Sequence, residues 1–186
     1  MIHATGQFLR EAALDKHNSL SALLRRGGGA SNTDGTSVAD GTSNTGVYYQ
    51  LPGKHPKEAL CSLIDLLPVV TDKEKLLKAI LEREELMPTA MGNGIALPHP
   101  RNPLIEKEAK QFAALAFPEN HLDWGALDGK PVHTIILVVS ASAKSHLFSL
   151  QRITFFCHDK GFCSLIERRA PAEEILEYIE KTEHGW

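Results

Sequence analysis

Gly92-Asn93-Gly94-Ile95-Ala96-Leu97-Pro98-His99 is a short apolar run that opens on two glycines and ends on one histidine behind a proline. Gly92 and Gly94 permit a tight turn and close backbone approach that a Cβ would forbid. Pro98 fixes its own φ and holds Leu97 in extended backbone, so the imidazole of His99 is aimed instead of left to swing. The helical stretch just upstream ends in Arg83-Glu84-Glu85, which supplies a guanidinium to the same local unit. A segment of this kind presents an imidazole to a visiting macromolecule.

The flanking sequence predicts the scaffold. Thr71-Asp72-Lys73-Glu74 reads as a capping box for a helix with Leu76, Leu77, Ile80 and Leu81 as its buried stripe. Pro56 suits the first position of a preceding helix that carries Ala59, Leu60, Leu63, Ile64 and Leu67. Val47–Leu51, Phe112–Phe117 and Thr134–Ser140 read as strands, Lys144–His158 as a helix, and Pro171 as the start of a last helix on Ile175, Leu176 and Ile179. Helices alternating with few strands predict an α/β sandwich with a mixed sheet. Residues 8–25 have helical apolar spacing and end in Arg25-Arg26 before three glycines. The tract 27–46 turns to Gly, Ser, Thr, Asn and Asp, with Asp34-Gly35-Thr36-Ser37 repeated as Asp40-Gly41-Thr42-Ser43. Such a composition buries too little apolar surface to offset its ordering entropy. The expected organisation is a helical lead-in over 1–26, a flexible loop over 27–46 and the main domain over 47–186.

Composition excludes several function classes. The 186 residues are 42% hydrophobic and carry a formal net charge of -3, with acids and bases interspersed, so no basic face for nucleic acid is expected. Cys61, Cys157 and Cys163 are scattered among apolar neighbours and read as buried free thiols of a reducing compartment. The longest apolar run, Thr134–Val139, is too short to span a bilayer, and Arg10, Glu11, Asp15 and Lys16 interrupt any signal-peptide core. The expectation is a cytoplasmic protein that neither binds nucleic acid nor inserts into a membrane.

Nine histidines are present. His3, His17 and His184 lie near the ends, His55 and His121 sit in polar turns, and His133 and His158 suit packing or helix-end roles. No HxxxH, HExxH or CxxC spacing is found, so no metal site is expected. His99 and His146 stand apart. His146 lies at the start of an apolar helix, where backbone amides favour an anion. Two imidazoles, a guanidinium and backbone amides suit a dianionic phosphoryl group, and a neutral imidazole is a nucleophile near pH 7. On the residues alone, a histidine after proline in an apolar loop fits a structural role as well, and both readings stand.

Arg83-Glu84, Thr89 and Met91–His99 taken together, with Asp128-Gly129-Lys130-Pro131-Val132 and His146-Leu147 downstream, resemble the enzyme IIA domains of the fructose, mannitol and nitrogen-regulatory type from the bacterial phosphoenolpyruvate-dependent phosphotransferase system. The resemblance covers residues 47–182, and Ser19–Leu24 followed by glycines is similar to the lead-in of nitrogen-regulatory-like members. It implies a mixed sheet sandwiched between helices and a carrier that accepts a phosphoryl group on His99 from a histidine-phosphocarrier protein. Arg83 would hold the phosphoryl oxygens, His146 would hydrogen-bond the phosphate, and Thr89, Gly92, Asn93 and Gly94 would form the phosphoryl loop. It implies no cofactor beyond a transient phosphohistidine, and a downstream partner that is a regulatory target or a sugar-permease subunit. The nitrogen-type lead-in favours regulation. A phosphorylation-independent interaction module is the competing reading, and it has no need for Arg83, His99 and His146 together. A metal-dependent hydrolase on His99 and His146 lacks a third ligand.

Overall fold

Residues 19–28 and 45–185 are described by the structure, a computed structural model. Among them the elements run α1 (Leu20–Gly27), β1 (Val47–Leu51), α2 (Pro56–Leu66), α3 (Lys73–Leu86), β2 (Ala90–Gly92), β3 (Ile95–Ala96), a 3-10 turn (Glu108–Lys110), β4 (Phe112–Pro118), β5 (Thr134–Val139), α4 (Ala143–His158), α5 (Lys160–Glu167) and α6 (Ala172–His184). The strands form one mixed sheet in the order β1-β4-β5-β3-β2. β4 and β5 pair antiparallel at its centre, β1 joins β4 and β3 joins β5 in parallel, and β2–β3 is an antiparallel hairpin at one edge.

The central strands Phe112–Pro118 and Thr134–Val139 are buried at every position, as expected for strands covered on both faces. Their alternation sorts the core into two layers. Ala113, Leu115, Phe117, Ile136 and Val138 meet the apolar faces of α1, α4, α5 and α6. Ala114, Ala116, Ile135, Leu137 and Val139 meet α2 and α3. The chain is therefore an α/β sandwich, as its pattern predicts. No described helix is long and apolar enough to cross a membrane.

The boundaries of the polar tract differ from expectation. Leu20, Leu23 and Leu24 of α1 are fully buried in the first core layer, each worth about 2 kcal/mol. The Leu20 amide donates to Glu183 Oε1 at 2.7 Å, and that carboxylate also pairs with the buried Arg152 at 2.9 Å. Burial nevertheless raises the Glu183 pKa, against the pull of these partners. Gly27 packs so closely on the Ala113 carbonyl that a Cβ has no room, and Tyr48 donates its hydroxyl to the Gly27 carbonyl at 3.0 Å. Gly46, at φ 68°, sits against the Leu24 carbonyl in the same way. The 20–27 helix thus shares the core of 47–186, and the glycines at both edges of the tract are packing residues. The remainder of the 8–25 helical expectation lies outside the described residues.

Three smaller corrections follow from local chemistry. Asp72, not Thr71, caps α3 by accepting the Lys75 amide at 3.0 Å, which leaves Glu74 one position early for a capping box. Cys61 is exposed, whereas Cys157 is buried and Cys163 half-buried. α5 was not among the expected elements: Asp159 ends α4 with extended backbone and caps α5 through the Phe162 amide at 2.8 Å.

Candidate functional site

The β2–β3 hairpin turns through Gly92 (φ 85°), Asn93 (φ 52°) and Gly94 (φ 71°), the left-handed region where glycine and asparagine are tolerated. Asn93 donates its amide to Asp128 Oδ2 at 2.9 Å, and Lys130 donates its amide to Asp128 Oδ1 at 3.1 Å. Those two bonds hold the Asp128 carboxyl below the usual carboxylate range. The Gly94 carbonyl accepts from the amides of His133 (2.8 Å) and Thr134 (3.1 Å), and a Cβ on Gly94 would land in the His133 ring. From this turn β3 runs toward His99 alongside β5: the Gly94 carbonyl takes the Thr134 amide and the Pro98 carbonyl takes the Val138 amide, at opposite ends of that strand. The structure thus places Gly92, Asn93 and Gly94 with Asp128 and His133, at the opposite end of β3 from the imidazole they were expected to serve.

The path of the chain to His99 is pinned on both sides. Leu97 donates its amide to the Thr89 carbonyl at 3.1 Å, and the Pro98 carbonyl accepts from Val138 at 3.2 Å. His99 itself is 9% exposed. Its Nδ1 lies 2.8 Å from the Leu97 carbonyl oxygen. A carbonyl only accepts, so Nδ1 carries the hydrogen and Nε2 keeps its lone pair. His146, in the first turn of α4, packs beside it with ring centroids 5.0 Å apart and planes inclined at 51°.

Both imidazoles are held below their ordinary pKa. For His99 the main cause is burial. The Leu97 carbonyl opposes it, the Arg83 charge reinforces it and the Glu84 charge opposes it. For His146 the causes are burial, then His99, then Arg83. Near neutral pH both rings are uncharged, and the guanidinium of Arg83 is close enough to act on each. One Arg83 nitrogen donates to the Met87 carbonyl at 2.8 Å, closing the end of α3. Of the expected site residues, the structure packs His99 against His146, and the charge of Arg83 acts on both rings.

Thr89, whose carbonyl holds the Leu97 amide, has its own donors engaged by Glu84. Its amide donates to Glu84 Oε2 at 2.9 Å, and its hydroxyl donates to Glu84 Oε1. Glu84 Oε2 also takes the indole hydrogen of Trp124 at 3.1 Å. One carboxylate therefore ties α3, the strand leading to His99 and the loop after β4. Sequence reading quoted Glu84 beside Arg83 without giving it a role, and it missed Trp124. Their partnership spans 40 residues and leaves no local pattern. At the start of α4, Ser142 Oγ accepts the Ser145 amide at 3.1 Å, and the His146 amide donates to the Ser142 carbonyl at 2.9 Å. Among the described residues no three His, Cys, Asp or Glu side chains cluster as metal ligands.

Comparison with known proteins places this geometry. Residues 56–182 match the family model "Phosphoenolpyruvate-dependent sugar phosphotransferase system, EIIA 2". The chain is 30% identical over 127 residues to the nitrogen regulatory protein of Bradyrhizobium diazoefficiens, covering 66% of this chain and 81% of that protein. It spans 65% of the length of three further nitrogen regulatory proteins that it matches. Among solved structures it is similar to the nitrogen regulatory protein IIA-Ntr of Neisseria meningitidis, with a TM-score of 0.62, 23% identity, and coverage of 72% of this chain and 91% of that one. It also resembles mannitol enzyme IIA of Escherichia coli, solved in complex with phosphorylated enzyme IIB, with a TM-score of 0.55, 20% identity, and coverage of 73% and 94%. The chain belongs to the EIIA 2 family of the phosphoenolpyruvate-dependent sugar phosphotransferase system, as an EIIA domain of the nitrogen-regulatory-like type.

Proposed function

We propose that this protein is a phosphoryl carrier with a regulatory role, and that Nε2 of His99 takes the phosphoryl group from a histidine-phosphocarrier protein. The observation that carries the reading is the bond between His99 Nδ1 and the Leu97 carbonyl, which leaves Nε2 as the nucleophilic nitrogen of a ring kept neutral by burial. In the step, the Nε2 lone pair forms a bond to phosphorus while the bond from phosphorus to the carrier's imidazole nitrogen breaks. The leaving imidazole keeps the electron pair. Phosphoryl transfer needs positioning and charge stabilisation more than covalent help. Arg83 supplies the fixed positive charge, and His146, 5.0 Å from His99, supplies a hydrogen-bonding group for a phosphoryl oxygen. The residues need no cofactor for this beyond the transient phosphohistidine.

A protein partner suits the surroundings. Leu86, Met87 and Leu147 are 65%, 62% and 53% exposed and lie next in sequence to the α3 end and to His146. Apolar side chains around a small reactive edge favour a macromolecular donor over a free small phosphate ester. The mannitol IIA neighbour is recorded with a phosphorylated IIB protein, which supports a protein acceptor downstream as well. The nitrogen regulatory relatives favour a regulatory target over a sugar permease as that acceptor.

The test is incubation with phosphoenolpyruvate, the general phosphotransferase enzyme and the histidine-phosphocarrier protein, followed by intact mass measurement. One added phosphoryl group is expected, and none when the carrier protein is omitted. An unlabelled protein in the complete mixture would favour the phosphorylation-independent interaction module.

A further inference from the structure

A second group of histidines lies at the far end of β3. There a cleft of about 560 Å³ is lined by His121, Lys130, His133, His158, Lys160 and Glu167, with the Asp128 carboxylate acting on Lys130 and the Asp159 carboxylate acting on Cys163 from beside it. No salt bridge among the described residues uses Lys130 or Lys160. The rings of His121 and His133 are 5.9 Å apart and inclined at 49°. His158 places Nδ1 2.8 Å from the Thr154 carbonyl, so Nδ1 carries the hydrogen and Nε2 takes no part in that bond. A concave surface lined by one sign of charge concentrates ions of the other sign, and the volume suits a small metabolite.

We propose that this cleft binds a small multivalent oxyanion, a carboxylate or a phosphate, at a site separate from the His99–His146 pair. Lys130 and Lys160 supply permanent charge, and the imidazoles that line the cleft supply ring nitrogens for hydrogen bonding. His133 forms the inner wall: it is half-buried, its Nδ1 lies 2.8 Å from Thr134 Oγ1, and its ring fills the space over Gly94. Burial and His121 lower its pKa, the Asn93 carbonyl and Glu167 oppose them, and Arg169 adds to the lowering. The thiols Cys157 and Cys163 face the same cleft, and burial raises both, so they stay neutral through this pH range. An anion in the cleft offsets the positive charges that help lower the His133 pKa and draws a proton onto that ring. Binding therefore tightens as pH falls from 8 to 6. The proposal is independent of the phosphoryl-carrier reading.

The full chain should be titrated with citrate and, separately, with inorganic phosphate at constant ionic strength, by calorimetry and by NMR of the imidazole carbon-bound protons. Saturable binding that shifts His121, His133 and His158 and is tighter at pH 6 than at pH 8 is expected. Binding of citrate alone identifies a carboxylate site, and binding of phosphate alone a phosphate site. Lys130→Ala combined with Lys160→Ala should weaken binding by about tenfold or more, the usual cost of charge-assisted contacts. Both lysines are exposed, and circular dichroism checks that the fold is kept. No saturable binding of either anion, equal binding by the double variant, or shifts confined to His99 and His146 would overturn the proposal.

Discussion

The Nδ1 of His99 lies 2.8 Å from the carbonyl oxygen of Leu97, two residues back in the same chain. The backbone thereby selects the tautomer of its own imidazole. Pro98 makes this geometry possible, because it bends the chain while holding Leu97 extended and leaving its carbonyl available. The Val138 amide then pins the Pro98 carbonyl at 3.2 Å, so the ring is oriented by the sheet and not by a mobile loop. His146 adds a second neutral ring at 5.0 Å, and Arg83 adds charge.

Arg83→Ala and His146→Ala are each expected to slow phosphoryl acceptance on the order of a hundredfold, the usual cost of losing one charge-stabilising donor. Circular dichroism should be unchanged, since neither side chain belongs to a core layer. Rapid-quench labelling measures the rate. Parental rates in both variants would make the two residues bystanders.

Glu84→Ala should destabilise the protein by about 2–4 kcal/mol, because it strands the Thr89 amide and hydroxyl and the Trp124 indole hydrogen. Glu84→Gln, which keeps an acceptor oxygen, should cost less. Urea titration followed by Trp124 emission reads both. A Glu84→Ala midpoint equal to the parent's would show that the carboxylate does not brace the site.

Stability should fall in mildly acidic solution. His99, His133 and His146 are all lowered from 6.5 in the folded protein, chiefly by burial. As pH falls, the unfolded chain takes up these protons first. The contribution is therefore complete above about pH 6.5 and is lost as pH drops through the lowered values. Denaturation midpoints at pH 7.5, 6.5 and 5.5 should decline in that order. His146→Gln should flatten part of the decline, and a profile unchanged in that variant would contradict the assignment.

What was legible in the sequence was local. The glycines and proline around Ile95–Leu97 signalled the turn and the aim of His99, and the continuous apolar runs of Phe112–Pro118 and Thr134–Val139, buried at every position, signalled the sheet centre. The contact between His99 and His146, 47 residues apart, was expected only through the resemblance of their separate blocks. The partners of the Gly92–Gly94 turn were not, because Asp128 lies 35 residues from Asn93 and only the folded register brings them together. The bond from the Thr89 hydroxyl to Glu84 was not legible either, because a threonine near a phosphoryl site looks like a free donor until the carboxylate that takes its hydrogen is seen. Gly27 and Gly46 were read as linker because glycine signals both freedom and close packing, and contact with Ala113 and Leu24 decides between them.

Replacing residues 29–44 by a short Gly-Ser bridge should change stability by about 1 kcal/mol or less, because loop-closure entropy varies slowly with length. Extending the replacement through Gly27, Gly28, Thr45 and Gly46 should cost more, since it removes the Gly27 carbonyl that Tyr48 bonds and the turn against Leu24. Thermal midpoints of the two variants give the comparison. Equal midpoints would return the boundaries to 27 and 46.

The central claim, that His99 carries the phosphoryl group on Nε2, is tested most directly by relaying phosphate from phosphoenolpyruvate onto the wild-type protein and onto His99→Gln, then locating the label by phosphorus and nitrogen-correlated NMR. One phosphoryl group on Nε2 of His99, and none on the folded variant, is the predicted result. Full labelling of His99→Gln, or a phosphoryl group on Nδ1 with the Leu97 bond broken, would contradict it.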